Sequence, residues 1–348
     1  MVLSDTSVES VFVGCYTLGE GGQGIGVSSV RRNPKTGALG PVLGVAATPA
    51  PSFVALHPRL PVLYAGNELP VGTVTVFAIG ADATLSPVGT WPTGGASPCH
   101  LDVAPAGDRL LVANYVTGNV AAIRLDAAGL PVDHEMIDHS GRGPDPERQA
   151  GPHAHMVVPY EGGVLAVDLG ADVVYHHRVD PVTGAVVAGK PAIRLEPGTG
   201  PRHLTVDPAG RLHLAGELSS TLLTFARSGP GADWSPIATT PVTTAGSAYP
   251  SAIVADADGR FLYLANRGPD TIAVFSLAGD RPARVGEVPS GGSWPRDLCL
   301  VEPYLYVANE RSGTVVAFRI DPVTGIPTPT GDMLATPSPT CVVPYVAR

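Results

Sequence analysis

The chain has 348 residues, of which 44% are hydrophobic and 15% are charged, and its formal net charge is −9 at pH 7. This balance predicts a globular protein with a large core. The acidic charge argues against nucleic acid as a partner, because phosphate binding requires a basic face. The 42 glycines and 36 prolines favour a chain with many tight turns over a helical chain.

Neither the N-terminal residues, nor any apolar run, nor the cysteines indicate a membrane or an oxidising compartment. Residues 1–10 lack the basic and apolar regions of a signal peptide, and no apolar run approaches the roughly 18–20 residues that cross a bilayer. The cysteines show neither CxxC spacing nor a His/Cys cluster, and we expect buried free thiols at Cys15, Cys99, Cys299 and Cys341. We therefore expect a cytoplasmic protein with no membrane partner, no metal and no other cofactor.

A unit that opens with proline recurs every 44 to 54 residues, at Pro51, Pro98, Pro152, Pro201, Pro250, Pro295 and Pro339. Each copy contains a short strand, a turn, a strongly apolar second strand, a polar turn, a third strand and a weaker outer strand. A period of this length with only β-type patterns is typical of a propeller with one four-stranded blade per repeat.

The predicted strands follow the same order in every full copy. The first strands are predicted at 52–56, 99–103, 155–158, 203–206, 252–255 and 297–300. The second strands are predicted at 62–65, 110–113, 164–167, 212–215, 261–265 and 305–308. The third strands are predicted at 73–79, 119–125, 173–179, 221–226, 271–277 and 314–320.

The two ends of the chain complete the count of blades. Residues 11–16 and 24–31 resemble a second and a third strand, and residues 339–344 have the pattern of a first strand with nothing after it. Six full copies and these fragments predict an all-β, seven-bladed β-propeller of four-stranded antiparallel blades, forming a single domain over 1–348. The C-terminal strand is expected to complete the N-terminal blade and so close the ring, which removes exposed sheet edges.

Polar residues gather at one predicted rim of the propeller. The first strand of each blade lines the central channel, and antiparallel pairing puts its start beside the end of the second strand. Arg202 is therefore expected near Glu217. The rim positions are Ser52, Asn67, Glu68, His100, Asn114, Tyr115, His153, His155, Asp168, Arg202, His203, Glu217, Asn266, Arg267, Arg296, Asp297, Asn309 and Glu310. Imidazoles, guanidiniums and carboxylates together suit a small anionic ligand.

Structural interpretations compete with this functional one. The asparagines and Asp168 at the ends of second strands could simply form turns. Arg202 and Glu217 could form a structural ion pair. His176 and His177 lie on a predicted third strand, away from the channel, and are expected to be structural.

A metal site is a further alternative at this rim. His153 and His155 stand two positions apart and could both bind a metal ion. Their spacing fixes no third ligand, which a catalytic zinc site requires. The residues therefore favour a site without a metal.

Six segments resemble the seven-bladed propeller lactonase family, which includes bacterial propeller-type 6-phosphogluconolactonase and fungal carboxy-cis,cis-muconate cyclase. They are Leu-Val-Ala-Asn-Tyr115, Gly-Pro-His-Ala-His155, Gly-Pro-Arg-His203, Gly-Glu-Leu218, Phe-Leu-Tyr-Leu-Ala-Asn-Arg-Gly268 and Trp-Pro-Arg296. The resemblance extends over 11–346.

The resemblance implies a catalytic set of His155, Arg202 and Glu217. His155 is expected to be the general base, because an imidazole exchanges protons near neutrality. Arg202 would stabilise the oxyanion or hold an anionic group, and Glu217 would orient either residue or act as the base itself. Arg267 and Arg296 are candidates for binding phosphate or carboxylate.

The remaining binding residues and the departures from the family pattern concern the substrate. The expected further contacts are His100, Asn114, Tyr115, His153 and His203. Positions that depart from the family pattern are Ala252, Asp297 and Glu310. These departures leave the substrate more open than the fold.

The resulting functional hypothesis is a lactone hydrolase that acts on a small anionic sugar lactone. The resemblance implies conversion of 6-phosphogluconolactone to 6-phosphogluconate, a step of carbohydrate metabolism in the pentose phosphate pathway. A carboxymuconate-type cycloisomerase and a non-catalytic protein-binding platform are the alternatives, since a propeller fold alone implies no function. We expect a monomer or a weak homodimer.

Overall fold

The computed structural model describes residues 3–4, 8–19, 21–180, 182–183 and 185–347. Over these ranges the chain forms thirty strands and no helix. None of the described residues therefore belongs to a helix of the length and apolarity needed to cross a bilayer. Half of the N-terminal segment 1–10 that bears on a signal peptide, residues 1–2 and 5–7, lies outside the described residues.

The strands are numbered in chain order. The first four are β1 (Leu3–Ser4), β2 (Ser10–Cys15), β3 (Gly26–Arg32) and β4 (Leu39–Ala47). Next come β5 (Pro51–Leu56), β6 (Val62–Asn67), β7 (Thr73–Ile79), β8 (Leu85–Pro92), β9 (Pro98–Val103), β10 (Arg109–Asn114), β11 (Asn119–Leu125), β12 (Pro131–Asp138), β13 (Ala154–Tyr160), β14 (Gly163–Asp168), β15 (Val173–Val179), β16 (Val186–Val187) and β17 (Pro191–Arg194). The last are β18 (Pro201–Val206), β19 (Leu212–Gly216), β20 (Thr221–Ala226), β21 (Ser235–Pro241), β22 (Tyr249–Ala255), β23 (Phe261–Arg267), β24 (Thr271–Ser276), β25 (Ala283–Pro289), β26 (Pro295–Glu302), β27 (Tyr304–Asn309), β28 (Thr314–Ile320), β29 (Pro327–Ala335) and β30 (Pro339–Tyr345).

These strands form seven sheets, which are the blades of a β-propeller. Blade one is β30 with β2–β4, blade two is β5–β8, blade three is β9–β12, blade four is β13–β17, blade five is β18–β21, blade six is β22–β25 and blade seven is β26–β29. β30 pairs antiparallel with β2, so the C-terminal strand completes the N-terminal blade. The predicted fold class is confirmed. Two blades carry an addition: β1 lies parallel to β26, and the outer strand of blade four is split into β16 and β17.

The chain divides into two compact units, and each is described by itself. The first unit comprises Met1–Val45 and His203–Arg348, and the second comprises Ala46–Arg202. In the second unit every residue of β6, β10 and β14 is buried. In the first unit the same holds for β23 and β27. The central residues of these second strands are apolar because side chains on both of their faces are covered.

Each unit has a core that lies between neighbouring blades. In the second unit Tyr64 of blade two packs with Leu101 and Leu110 of blade three. In the first unit Tyr263 of blade six packs with Phe318 of blade seven. Burial of these large side chains contributes about 25 cal/mol per Å² of apolar surface, which makes blade-to-blade packing a main source of stability.

A β-bulge lies near the start of the innermost strand in six blades. The extra residues in the second unit are Ser52 in β5, Cys99 in β9 and His155 in β13. Those in the first unit are Ser251 with Ala252 in β22, Arg296 in β26 and Thr340 in β30. A bulge takes a side chain out of the strict alternation of the strand and re-aims it.

This register corrects the expected position of the fourth repeat. The spacing predicts that Pro152 opens it, and this is wrong, because Ala154 pairs with Asp168 just as Pro98 pairs with Asn114. Pro152 lies two residues before β13. The connection that leads from β12 to β13 is long, so the proline no longer marks the start of the strand.

Small side chains at the bulge tie neighbouring blades together. Ser52 donates its hydroxyl hydrogen to the carbonyl oxygen of Pro98 at 2.5 Å. Ser251 does the same with the carbonyl oxygen of Pro295 at 2.6 Å. The thiol of Cys99 lies 3.5 Å from the carbonyl oxygen of Ala154. The bulge therefore links the first strand of one blade to the first strand of the next.

Substitution of Ser251 by alanine should show how much this link between blades contributes to the free energy of unfolding. The variant loses the hydroxyl that binds two carbonyl oxygens, those of Pro295 and Ala265. We expect the free energy of unfolding to fall by about 1–3 kcal/mol, since a buried acceptor is left without its donor. Urea unfolding measures this change. Ser235→Ala, at an exposed position of β21, is the matched control, and equal effects of the two substitutions would rule out a blade-linking role for Ser251.

Candidate functional site

The candidate site in the second unit is built around His155. This residue is the bulge of β13, and its side chain is buried, as is that of Arg202. Nη1 of Arg202 donates to Nε2 of His155 at 2.5 Å. A guanidinium has no acceptor, so Nε2 must accept this hydrogen bond, and the imidazole is neutral with its proton on Nδ1. This tautomer is assigned from the hydrogen bond.

Tyr115 packs beside His155 and is itself held from several sides. Its ring meets that of His155 edge-on, with centroids 5.5 Å apart, and it stacks on His153 at 4.6 Å. Nδ1 of His153 donates to the Tyr115 carbonyl oxygen at 2.8 Å. Arg148 donates to the Tyr115 hydroxyl at 3.3 Å, a contact that sequence reasoning missed.

The two histidines of the Pro-His-Ala-His segment therefore have different contacts. His153 contacts Tyr115 through its ring face and Nδ1, whereas His155 accepts from Arg202. Among the residues that the structure describes, no three His, Cys, Asp or Glu side chains are grouped as a metal ion would require.

His100 and Asn114 are two further predicted site residues of the second unit. His100 is buried against the ring of Phe53, with centroids 4.3 Å apart. Burial, and then the positive charge of Arg202, lower the pKa of His100 to about 3, so this imidazole is neutral. Asn114 donates its amide to Oδ1 of Asn119 at 3.0 Å, which is the turn-forming role that the structural interpretation predicts.

A buried chain of hydrogen bonds supports the backbone just before β13. Oδ1 of Asp168 accepts the backbone N–H of His153 at 2.8 Å, and Oδ2 lies 2.7 Å from Nδ1 of His139. Nε2 of His139 lies 3.0 Å from Nε2 of His177. The N–H of Gly189 donates to Nδ1 of His177. His177 therefore donates from Nε2, and His139 donates to Asp168 from Nδ1. Both imidazoles are neutral and serve the structure.

Acid should weaken the protein partly through His177. Burial, and then the neighbouring His139 and His176, lower the pKa of His177 to about 3 from its ordinary 6.5. Between these values the unfolded chain binds one more proton than the folded chain, so this stability is complete above pH 6.5 and is lost as the pH falls. The free energy of unfolding should lose about 1.4 kcal/mol per pH unit from this histidine.

His177→Gln removes the titrating group and should make the acid-dependent decline shallower by that amount. The variant should also be less stable at neutral pH, because the bond to His139 is weakened. Urea unfolding at several pH values gives the slope. His134→Gln, at an exposed position of β12, is the control and should keep the wild-type slope. Coincident slopes for wild type and His177→Gln would contradict the assignment.

In the first unit Glu217 and Arg267 form a buried ion pair. Oε2 of Glu217 lies 2.7 Å from Nη2 of Arg267, and their side chains are 2% and 7% exposed. Nε of Arg267 donates to the carbonyl oxygen of Tyr249 at 3.1 Å. Its guanidinium also lies 5.3 Å from the ring centroid of Trp294. The arginine is therefore held by charge, by backbone and by an aromatic ring.

Arg296 occupies the bulge of β26 and is also paired. Its Nη1 donates to Glu310 at 3.3 Å, and its Nη2 donates to the Tyr16 hydroxyl at 2.5 Å. The guanidinium carbon lies 4.8 Å from the centre of the Tyr16 ring. Glu310, which departs from the family pattern, is thus the partner of a predicted anion-binding residue.

The other two residues of this unit that depart from the family pattern have structural roles, and the predicted binding residue His203 is buried. Oδ2 of Asp297 accepts the backbone N–H of Val342 at 2.9 Å, which joins blade seven to the last strand of the chain. Ala252 lies in the core between blades six and seven. His203 is buried in β18.

Trp294 and Arg311 are residues that sequence reasoning did not single out. The guanidinium carbon of Arg311 lies 3.4 Å from the centre of the Trp294 ring. Trp294 stands in the Trp-Pro-Arg segment, and Arg311 follows Glu310. Both residues are therefore sequence neighbours of predicted site residues. No sequence pattern indicates that Trp294 and Arg311 contact each other.

Comparison with known proteins identifies the class. The family described as "Lactonase, 7-bladed beta-propeller" matches residues 10–344, and the chain belongs to this family. It is therefore an enzyme of the lactone hydrolase class, in agreement with the prediction.

Similar proteins carry related names. The 6-phosphogluconolactonase of Bacillus subtilis strain 168 is 31% identical over 345 residues, which cover 95% of this chain and 97% of that protein. The 6-phosphogluconolactonase of Formosa agariphila is 29% identical, with 90% and 93% covered. The structure of the periplasmic gluconolactonase PpgL of Pseudomonas aeruginosa superposes with a TM-score of 0.89 at 27% identity, with 97% and 99% covered.

Proposed function

We propose that this lactonase hydrolyses a small anionic sugar lactone, and that its preferred substrate is 6-phosphogluconolactone, which yields 6-phosphogluconate. Two of its relatives are named 6-phosphogluconolactonase, and the similarity extends over nearly the whole length of each. The observation that carries the proposal is the buried pair of His155 and Arg202, because it combines a neutral imidazole with a guanidinium.

Hydrolysis of a lactone needs a base for the attacking water and a donor for the carbonyl oxygen. Arg202 transfers its hydrogen bond from His155 to the lactone carbonyl oxygen, which frees Nε2 of His155. The imidazole takes a proton from water while the oxygen attacks the carbonyl carbon, and Arg202 stabilises the resulting oxyanion. The ring C–O bond then breaks, and the imidazolium returns its proton to the departing ring oxygen. The products are a hydroxyl and a carboxylic acid, which loses its proton to solvent.

Glu217 supports this chemistry by holding Arg267 rather than by acting as the base. A carboxylate paired with a guanidinium at 2.7 Å is stabilised in its charged form and is a weak proton acceptor. Arg267 and Arg296 remain our candidates for contacts to anionic groups of the substrate. Their carboxylate partners, Glu217 and Glu310, orient them.

The remaining predicted binding residues differ in the contacts that the structure gives them. Tyr115 packs against His155, and His153 stacks on Tyr115, so both would shape the pocket for the sugar ring. His100 is neutral and buried, so it would offer a polar contact without charge. His203 and Asn114 stay in the proposal as sequence predictions.

Substitutions at His155 and Arg202 should abolish most of the activity. We expect His155→Gln to lower kcat/KM for 6-phosphogluconolactone by about 100-fold or more, because the base is lost. Arg202→Lys should lower it by about 100-fold, since lysine cannot reproduce the planar donor pair. The assay follows product release after subtraction of spontaneous hydrolysis.

The matched control for these variants is His176→Gln. His176 lies on β15, where its Nε2 is 3.3 Å from the carbonyl oxygen of Tyr160, and it is not part of the proposed chemistry. This variant should keep nearly full activity. Full activity in folded His155→Gln protein would exclude His155 as the base, whatever the result at Arg202.

We further propose that the protein works as a monomer or a weak homodimer in the cytoplasm, in the pentose phosphate pathway, where oxidation of a sugar phosphate supplies the lactone. Support for the compartment comes from the cysteines, since Cys15, Cys99, Cys299 and Cys341 are buried free thiols. Cell fractionation and light scattering test these points. Recovery from the periplasm, or a stable dimer, would contradict them.

A further inference from the structure

The start of the innermost strand of blade four differs from that of other blades. Four blades pair a proline with an asparagine at this place: Pro51 with Asn67, Pro98 with Asn114, Pro250 with Asn266, and Pro295 with Asn309. Blade four, which carries His155, pairs Ala154 with Asp168 instead. A proline fixes its own φ, so blade four lacks a backbone restraint that these four blades have. The change from asparagine also matters, because a carboxylate cannot donate a hydrogen bond.

The carboxylate of Asp168 reverses a contact that the asparagines make. Each asparagine donates its amide to a carbonyl oxygen in the connection that leads into its own blade. The acceptors are Pro49, Thr93, Val242 and Ser290, at 2.6 to 3.5 Å. In blade four the same connection supplies donors: the N–H of His153 lies 2.8 Å from Oδ1 of Asp168, and Nδ1 of His139 lies 2.7 Å from Oδ2. Oδ1 also accepts the N–H of Ala171 at 2.8 Å.

The reversed direction continues through two buried imidazoles. The backbone N–H of Gly189 donates to Nδ1 of His177 at 3.1 Å, so the proton of this imidazole is on Nε2. Nε2 of His177 then donates to Nε2 of His139 at 3.0 Å, and His139 donates from Nδ1 to Asp168. The side chains of His139 and Asp168 are both 0% exposed. Because a backbone N–H cannot accept, every bond of this chain has one direction, and only an acceptor fits at position 168.

The chain of hydrogen bonds ends two residues before the proposed general base. His153 is held at its N–H by Asp168 and at its carbonyl oxygen by the N–H of Leu169, which lies 2.9 Å away. His155 follows as the bulge of β13, and its Nε2 accepts from Arg202. The peptide that enters the bulge is thus fixed on both sides, and the bulge sets where the imidazole of His155 points.

We propose that Asp168, His139 and His177 are positioning residues of the hydrolysis, which hold the entry to β13 so that the imidazole of His155 meets the attacking water and Arg202 in one geometry. This role rests on the proposed function, because it takes His155 as the general base. The three residues act through His155, and none of them exchanges a proton with the substrate. Fixing a base in its reactive orientation lowers the entropy that the reaction must lose, so a small displacement costs rate.

The direction of the hydrogen bonds can be measured without any activity. Nitrogen-15 NMR of the folded wild-type protein at neutral pH should place the imidazole proton on Nδ1 in His139 and on Nε2 in His177. His139→Gln and His177→Gln, each of which removes one set of signals, supply the assignments. The opposite tautomer in either histidine would show that the chain does not run towards Asp168 and would overturn the proposal.

Asp168→Asn tests the role in catalysis. The asparagine has the same shape, but its NH2 group faces a donor whichever way it is turned, either Nδ1–H of His139 or the N–H of His153. We expect kcat to fall by about 10- to 100-fold, because the base is less well oriented. KM should stay within about 3-fold, because the substrate contacts are kept. His139→Gln should lower kcat by a smaller factor, since it keeps the carboxylate and removes its support.

A double variant separates positioning from a general loss of structure. If Asp168 acts only through His155, then Asp168→Asn should change the residual activity of His155→Gln by no more than about 2-fold. An equal loss of kcat in the presence and absence of His155 would overturn the proposal. Full activity of Asp168→Asn in the wild-type background would do the same.

His213→Gln is the matched control for His139→Gln. His213 lies in the first unit, is also 0% exposed, and has its Nε2 3.1 Å from Oδ2 of Asp207. Both substitutions therefore remove a buried imidazole that contacts a carboxylate, and both should lower the unfolding temperature. His213→Gln should nevertheless keep kcat within about 2-fold of wild type. A loss of kcat as large as that in His139→Gln would show a general effect of destabilisation and overturn the proposal.

The remaining outcomes separate this role from the proposed function. Wild-type protein that hydrolyses glucono-δ-lactone and not the phosphorylated lactone would refute the proposed substrate, and the same variants then test positioning with glucono-δ-lactone. Full activity in folded His155→Gln would refute the base and the positioning role together. Low activity in His155→Gln with full activity in Asp168→Asn would overturn the positioning role alone. Thermal unfolding shows which variants are folded at the assay temperature, and His139→Gln decides if Asp168→Asn does not fold.

Discussion

The β-bulge at the start of the innermost strand is the constraint on which much of this structure depends. At this position the chain can use a short side chain to bind the next blade, as Ser52 and Ser251 do. It can instead place a long side chain there, as it does with His155 and Arg296. The same backbone feature thus links blades in some places and positions residues of the proposed site in others, because a bulge re-aims a side chain without breaking the sheet.

Burial sets the charge state of the residues around His155. The network from Gly189 through His177 and His139 to Asp168 is satisfied only when both imidazoles are neutral. The bond from Arg202 likewise requires a neutral His155. A buried neutral imidazole beside a guanidinium avoids the cost of two like charges in a dry environment. It also keeps the imidazole ready to accept a proton, which the proposed hydrolysis needs.

The accuracy of the sequence predictions varies with the range of the interactions involved. Alternation and turn residues are local, and they predicted the strands and the count of blades. The bulges are not visible in alternation, and the proline spacing misplaced the fourth repeat at Pro152 instead of Ala154. Hairpin logic placed Glu217 near Arg202, and that proximity stays a prediction. The ion pair of Glu217 with Arg267 joins two blades, so no local pattern indicates it.

The sequence by itself determined the fold class, the family and the residue types available for chemistry, because a repeated pattern of apolar strands can bury its faces only by packing blade against blade. The tertiary structure alone decided which charges are neutralised. Arg267 and Arg296 each have a carboxylate partner, whereas Arg311 stacks on Trp294. Pairing of this kind depends on distances of a few ångströms between side chains of different strands and turns, and sequence spacing does not encode such distances.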